Sequence, residues 1–333
     1  MVASAKPISL HDYMASANAA YYATRDPLGA EGDFITAPEI SQMFGELIGL
    51  WFADLALRAG AGNAVAYVEL GPGRGTLATD ALRAMGQAGL SPPVHFVETS
   101  PVLRARQGRA VPQASWHESI DDLPDNRPLI IIANEFFDAL PIRQYERTGR
   151  GWHERMVANG HFALGEGDCA DAIPAQLADA PLGSIVERNP ASEAIVARLG
   201  TRIAKQGGAL LAIDYGYEGP ATGDTLQAMQ AHAFVDPLAE PGSRDLTAHV
   251  DFAMLAAVGR VVGLRASPCV GQGAFLTALG IEARAASLAR TNPERADELQ
   301  AAKTRLVAPA QMGRLFRALA LRHPAWPEPA GFA

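Results

Sequence analysis

The sequence predicts an α/β protein built on an open, mostly parallel sheet of seven strands, with helices on both faces. Three observations carry this. Short apolar runs at residues 64–70, 94–98, 129–133 and 209–214 alternate with stretches of helical spacing, the pattern of parallel strands joined by crossover helices. The first run leads into Gly71, Gly73 and Gly75, a turn free of side chains that passes into a helix. Polar residues stand at the ends of the runs, where open sheets of this kind bind their ligands: Glu69, Glu98, Asn134, Glu135 and Asp214.

Taken in order, residues 9–22 space their apolar side chains as a helix does. A loop at 25–32 follows, and Ala37-Pro38-Glu39 opens a second helix running to about Arg58, proline in the first turn followed by an acid being a good helix start. The strand at 64–70 is followed by a helix at 76–87, a strand at 94–98, a helix at 101–109, a strand near 113–116 and the buried strand Leu129-Ile-Ile-Ile-Ala133. From 143 to 164 the pattern changes to short runs split by Gly149-Arg-Gly151 and Asn159-Gly160. Asn-Gly between such runs signals a hairpin, so a small antiparallel insertion is expected. A helix at 187–206 stops at Gly207-Gly208, and a strand at 209–214 follows. The long polar connection at 215–245 is expected to serve a ligand. A helix at 249–259, a closing antiparallel pair at 261–268 and 273–278, helix through 281–322 and a proline-bearing tail complete the chain. The expected organisation is a helical lid over 1–60, a core over 61–280 with insertions at about 143–182 and 215–246, and C-terminal helices and tail over 281–333.

Composition narrows the function classes. The chain has 333 residues, of which 48% are hydrophobic and 19% charged, enough for a full core and too apolar for disorder. Its net charge of −8 argues against a partner of nucleic acid, whose binding rests on Lys and Arg neutralising phosphates. Cys169 and Cys269 stand a hundred residues apart with no nearby His pair, so no metal site is expected. With no signal-like N-terminus and no apolar span of membrane length, the chain is expected to be cytoplasmic, not membrane-inserted, with its oligomeric state open.

The glycine turn selects among ligands. A dinucleotide fingerprint requires glycine where Thr76 stands, and a P-loop requires a lysine that this segment lacks. What remains, acidic-x-Gly-x-Gly-x-Gly from Glu69, resembles the first motif of class I S-adenosylmethionine (SAM)-dependent methyltransferases. The backbone of Gly71, Gly73 and Gly75 would then face the amino-acid part of SAM. Glu98, with Thr99, suits the two hydroxyls of a ribose; its other reading is a surface acid that caps the next helix. Trp116 and His117 stand where adenine would lie, and Trp116 suits core packing equally. The richest segment is Asn134-Glu-Phe-Phe-Asp138. Carboxylates at Glu135 and Asp138 would orient a guanidinium by paired hydrogen bonds, and Phe136 and Phe137 would stack on its plane. Against this stands packing of both rings in the core. Asp214 and Tyr215 form a second polar cluster on the same rim. His249 and Asp251 could suggest base chemistry, but no nucleophile elbow accompanies them.

With these segments assembled, the chain resembles the MidA family, SAM-dependent methyltransferases that include the mitochondrial complex I assembly methyltransferase. The resemblance is carried by Gly32-Asp-Phe-Ile-Thr-Ala-Pro-Glu-Ile-Ser-Gln-Met-Phe-Gly-Glu46, Val68-Glu-Leu-Gly-Pro-Gly-Arg-Gly-Thr76, Asn134-Glu-Phe-Phe-Asp-Ala-Leu-Pro141, Ile213-Asp-Tyr-Gly216, Pro241-Gly-Ser-Arg-Asp-Leu-Thr-Ala-His-Val-Asp-Phe252 and Gln272-Gly-Ala-Phe-Leu276. It implies a class I, Rossmann-like sheet and a protein arginine N-methyltransferase acting on a partner protein, with symmetric dimethylarginine as the product in the mitochondrial member. It places SAM on Gly71, Gly73, Gly75 and Glu98, the acceptor on Glu135 and Asp138, and Thr36, Pro38 and Glu39 in the lid. Two other readings keep the cofactor: an acceptor that is a small molecule or another protein nitrogen, and an assembly chaperone that binds SAM without turnover.

Overall fold

A computed structural model of the chain describes residues 6–24, 35–230 and 233–332. The loop expected at 25–32 and the head of the first matching motif, residues 32–34, fall largely or wholly outside the described residues. The first half runs α1 (Leu10–Thr24), α2 (Ala37–Ile40), α3 (Gln42–Arg58), β1 (Ala66–Leu70), α4 (Thr76–Gln87), β2 (Val94–Val97), α5 (Pro101–Ala110), β3 (Ser115–His117) and β4 (Leu129–Asn134). An antiparallel insertion follows, made of β5 (Arg143–Thr148), β6 (Gly151–Ala158), β7 (His161–Leu164) and β8 (Ile185–Arg188). The second half runs α6 (Pro190–Gln206), β9 (Gly208–Tyr217), the small strands β10 (Gln227–Gln230), β11 (Ala233–Val235) and β12 (Asp245–Thr247), then α7 (Phe252–Val261), α8 (Gln272–Ala278), α9 (Ile281–Thr291), α10 (Ala296–Val307), α11 (Met312–Leu315) and β13 (Phe316–Arg322).

The long strands of the main sheet lie in the order β13-β9-β4-β1-β2-β3. All neighbours are parallel except β13, which runs antiparallel to β9. The chain builds outward from β1 to β3 and then returns to β4, so strand order reverses between β1 and β4. Alternation along each strand sorts the core into two layers. Tyr67, Ile130, Ile132, Leu211 and Ile213 face one side, where Phe44, Trp51 and Phe52 of α3 and Phe275 of α8 cover them. Val68, Ile131, Ala133 and Leu210 face the other, under Leu199 and Ile203 of α6 and Phe252 of α7. Each large side chain so buried contributes roughly 1.5–3 kcal/mol. Helix starts are locally encoded: Ser41, Asn189 and Asp251 accept hydrogen bonds from backbone N–H groups at the heads of α3, α6 and α7.

Several expectations need correction. Among the described residues the sheet has nine strands rather than seven, three of them two-residue pieces at 250–251, 265–266 and 270–271. Its antiparallel closing strand is β13, within the span expected to be helical, while 273–278 lies in α8. Phe316-Arg-Ala-Leu-Ala-Leu-Arg322 is rich in helix formers, yet both of its faces are buried, and burial on two faces overrides that propensity. Residues 187–188 belong to β8, since Asn189-Pro190 starts the helix after them. The second N-terminal helix is interrupted at Ser41, whose extended backbone separates α2 from α3. α3 lies in the sheet core, so among the described residues of 1–60 only α1 and the α2 segment with Thr36 reach the ligand side of the sheet.

Candidate active site

Beyond the carboxyl ends of β1, β2 and β4 opens a cavity of about 620 Å³, in the size range of small-molecule sites. Its floor is the glycine turn. Gly71, Gly73 and Gly75 have φ of 59°, 54° and 82°, the left-handed region that favours glycine. At Gly71 a Cβ would also stand 3.1 Å from Cδ2 of Phe136. Gly71 and Gly73 line the cavity, whereas Gly75 heads α4 and faces α5, where an added Cβ would stand 3.3 Å from the Ala110 Cβ.

Four acids line the cavity: Glu39, Glu69, Glu98 and Glu135. Glu69 accepts a 2.9 Å hydrogen bond from the Tyr67 hydroxyl, and burial pushes its carboxyl up to about 8. Glu98 is held at both oxygens, by the Ser100 N–H at 2.8 Å and by Gln107 Nε2 at 3.1 Å. Each oxygen keeps acceptor capacity for a ligand hydroxyl, and burial raises this carboxyl as well. Thr99 lines the wall beside it. Thr36, Pro38 and Glu39 form the roof. Glu39 accepts from the Thr76 hydroxyl at 2.5 Å and lies 3.7 Å from the Arg74 guanidinium, which ties α2 to the glycine turn.

The opposite wall is the turn after β4. Glu135 has φ of 49°, a conformation costing about 1–2 kcal/mol for a residue with a side chain. Its N–H donates to the Ile213 carbonyl at 2.9 Å, and its Oε1 accepts from the Ala37 N–H at 2.9 Å. The carboxyl lies deep in the protein yet stays partly open to the cavity, and burial first, then the nearby Asp138 charge, push it up to about 8. Asn134 lines the cavity too, and its buried Oδ1 has no hydrogen-bond partner among the described residues. Phe136 presents its ring to the cavity and meets Phe137 edge-on at 5.4 Å.

The remaining expected site residues stand off the cavity wall. Asp138 is 5% exposed and turned into the protein, where burial and the charges of Asp214 and Asp245 hold it well above the usual carboxylate range. Its backbone N–H donates to Asp214 at 3.2 Å and its carbonyl accepts from the Ala248 N–H at 3.0 Å. Phe137 is fully buried in the layer under α6. Asp214 is fully buried at the end of β9, and Tyr215 packs on Phe316 at 4.1 Å. Trp116 packs edge-on against Phe96 and donates to Gln107 at 2.9 Å. His117 pairs with His95 at 2.9 Å on the sheet edge. Among the described residues no cluster of three or more metal-ligating side chains occurs, and no helix is long and apolar enough to cross a membrane.

Sequence reasoning missed Gln107, Tyr22 and Asn18. Gln107 is fully buried and donates to the Gly73 carbonyl at 2.8 Å as well as to Glu98, joining the glycine turn to the acid that follows β2. Tyr22 and Asn18 bring α1 to the cavity. Tyr22 donates to Asp245 at 2.8 Å, and Asn18 clamps the carbonyls of Ala139 and Leu246. These are lone polar residues on helices, and only tertiary contact gives them meaning.

Residues 47–269 match the family described as "Putative S-adenosyl-L-methionine-dependent methyltransferase". The mouse mitochondrial protein arginine methyltransferase NDUFAF7 is 36% identical, over 96% of this chain and 82% of its own length. The Drosophila melanogaster homolog is 34% identical over the same shares. A Burkholderia thailandensis protein solved bound to S-adenosyl-homocysteine superposes with a TM-score of 0.84 at 26% identity, covering 98% of this chain and 90% of that one. The curated relatives are named as mitochondrial proteins, which overturns the cytoplasmic location expected from the sequence.

Proposed function

The chain belongs to the S-adenosyl-L-methionine-dependent methyltransferase family matched over residues 47–269, and on that premise we propose that it methylates an arginine side chain of a partner protein. The cofactor is S-adenosyl-L-methionine, which supplies, when bound, a methyl group on a positively charged sulfur that leaves as a neutral thioether. The residues present fit it. The side-chain-free turn at Gly71 and Gly73 leaves room for its amino-acid part, Glu98 keeps free acceptor capacity for its ribose, and Asn134 carries a buried oxygen with no partner among the described residues. Thr99 joins this wall. Gly75, Trp116 and His117 support it from behind, through α5 and the sheet edge.

The observation that carries the acceptor reading is Glu135, a deeply set carboxyl on the cavity wall with no Lys or Arg hydrogen-bonded to it among the described residues. A guanidinium is the side-chain cation that a carboxylate can grip by two parallel hydrogen bonds. Phe136 supplies a ring for its plane. The arriving cation favours the charged form of Glu135, which can then hold the attacking nitrogen in line and take the proton released on transfer. The acceptor role moves from the pair Glu135 and Asp138 to Glu135 alone. The names of the relatives support a protein acceptor, and a respiratory-complex subunit is the candidate class that the resemblance suggests. Within 1–60, α1 and the α2 segment serve as the lid.

The test is transfer of label from tritiated S-adenosyl-L-methionine to the proteome of a strain lacking the gene, followed by mass spectrometry of labelled peptides. Methylarginine is expected, and the spectra separate a single methyl from a symmetric pair. Label confined to small molecules or to lysine would overturn the reading, as would calorimetric binding of NAD but not of S-adenosyl-L-methionine.

A further inference from the structure

We propose that Asp214 is the positioning residue of the acceptor wall: its buried carboxylate gathers the turn after β4 and thereby aims Glu135 and Phe136 into the cavity. One oxygen, Oδ2, accepts from three successive backbone N–H groups, those of Phe136 at 3.1 Å, Phe137 at 2.8 Å and Asp138 at 3.2 Å. Its partner Oδ1 accepts from the Tyr215 N–H at 2.9 Å. Successive N–H groups converging on one point form a nest, and here the acceptor oxygen that fills it comes from the neighbouring strand of the same sheet.

The placement follows from register. Ile213 pairs with Asn134 across β9 and β4, so the next residue on β9 stands beside the next turn. The Ile213 carbonyl receives the Glu135 N–H, and Asp214 receives the three N–H groups that follow it. Four consecutive peptide N–H groups, those of residues 135–138, are thus fixed by two residues of β9. Between the two fixings lies the left-handed φ of Glu135. A chain released there would relax toward the right-handed region and swing the Glu135 carboxyl away from the cavity. Asp214 itself is fully buried and off the cavity wall, so it acts only through the backbone it holds. Among the described residues no Lys or Arg pairs with it, and burial together with the Glu135 charge pushes its carboxyl up to about 8. An acid kept in so unfavourable a place, with only backbone donors around it, fits a part whose work is geometric.

The inference rests on Glu135 as the acceptor carboxylate, and the test separates the two. Asp214→Asn is compared with the parent by hydrogen exchange of the segment 134–141, by S-adenosylhomocysteine affinity, and by the initial rate of tritiated methyl transfer to the same proteome at saturating donor. Faster exchange confined to that segment is expected, with donor affinity within about twofold and a rate lower by about tenfold or more. Unchanged exchange, an unchanged rate, or a rate loss matched by an equal loss of donor affinity would overturn the proposal. If Asp214→Asn unfolds, Asp214→Glu keeps the carboxyl but shifts it by one methylene, and the same criteria apply to it. A parental rate in Glu135→Gln would overturn the acceptor reading instead, whatever the exchange pattern of the Asp214 variant.

Discussion

Replacing Glu135 with glutamine should stabilise the ligand-free protein in alkaline solution and leave it nearly unchanged in acid. The carboxyl titrates near 4.5 in an open chain and is pushed up to about 8 in the folded one. Between those values the native state keeps a proton that the unfolded chain has released. The unfolded state therefore binds fewer protons, and stability falls as pH rises from 4.5 to about 8. At about 1.4 kcal/mol per pH unit the ceiling on this loss is about 5 kcal/mol. Its opening to the cavity screens the charge, so roughly 1–2 kcal/mol is the expected share. Glutamine does not titrate, and its Oε1 can still accept from the Ala37 N–H. Urea unfolding of parent and variant, measured at about pH 5 and about pH 9, reads Glu135 together with the relief its removal gives Asp214, which acts in the same direction, while Glu69 titrates in both proteins. The variant should gain its 1–2 kcal/mol advantage only at the higher pH. An equal gap at both values, or a less stable variant at the higher one, would refute the placement of this acid in an uncompensated site.

Three other substitutions probe the scaffold around the cofactor. Gly71→Ala puts a Cβ 3.1 Å from Phe136 at a φ of 59°, and calorimetry should find S-adenosylhomocysteine affinity lowered by about tenfold or more; parental affinity would show that the turn tolerates a side chain. Gln107→Ala strands the Trp116 N–H and uncouples Gly73 from Glu98, so a stability loss of about 3 kcal/mol is expected together with weaker donor binding. If only stability falls, Gln107 is a core residue and not a support of the cofactor wall. Gly49→Ala would bring a Cβ to 2.2 Å from the Ala81 carbonyl where α3 crosses α4; denaturant unfolding should register a loss of about 3 kcal/mol, and a loss under about 1 kcal/mol would mean the two helices separate freely.

Much of this protein was legible before its structure, for stated reasons. The glycine turn and the strands before and after it were readable because each needs only a few neighbouring residues: an apolar run, then positions where side chains are excluded. The hairpin at Asn159-Gly160 was readable because φ of 51° and 74° at those two residues is what the dipeptide favours. Phe316–Arg322 was not, because a strand buried on both faces loses its alternation and leaves only propensity, which for Ala, Leu and Arg favours helix. At the candidate site, residue type at strand ends pointed to Glu69, Glu98, Asn134 and Glu135, and all four line the cavity. It could not tell Glu135 from Asp138, three residues on, since the direction of each depends on a turn fixed by Asp214 some eighty positions later. Gln107 carries no local signal at all.

The position of β13 bears on how the protein is made. It pairs along β9 from Ala209 to Tyr215, so residues 316–322 flank the strand that holds the acceptor turn. Every other long strand of the sheet leaves the ribosome about a hundred residues earlier or more. Through that interval β9 presents an open hydrogen-bonding edge of Leu, Ile and Ala to the cell, a template for aggregation. A nascent chain therefore needs its edge shielded until residue 322 emerges, and an enzyme halted short of that point would hold a complete glycine turn while lacking a settled place for the group to be methylated.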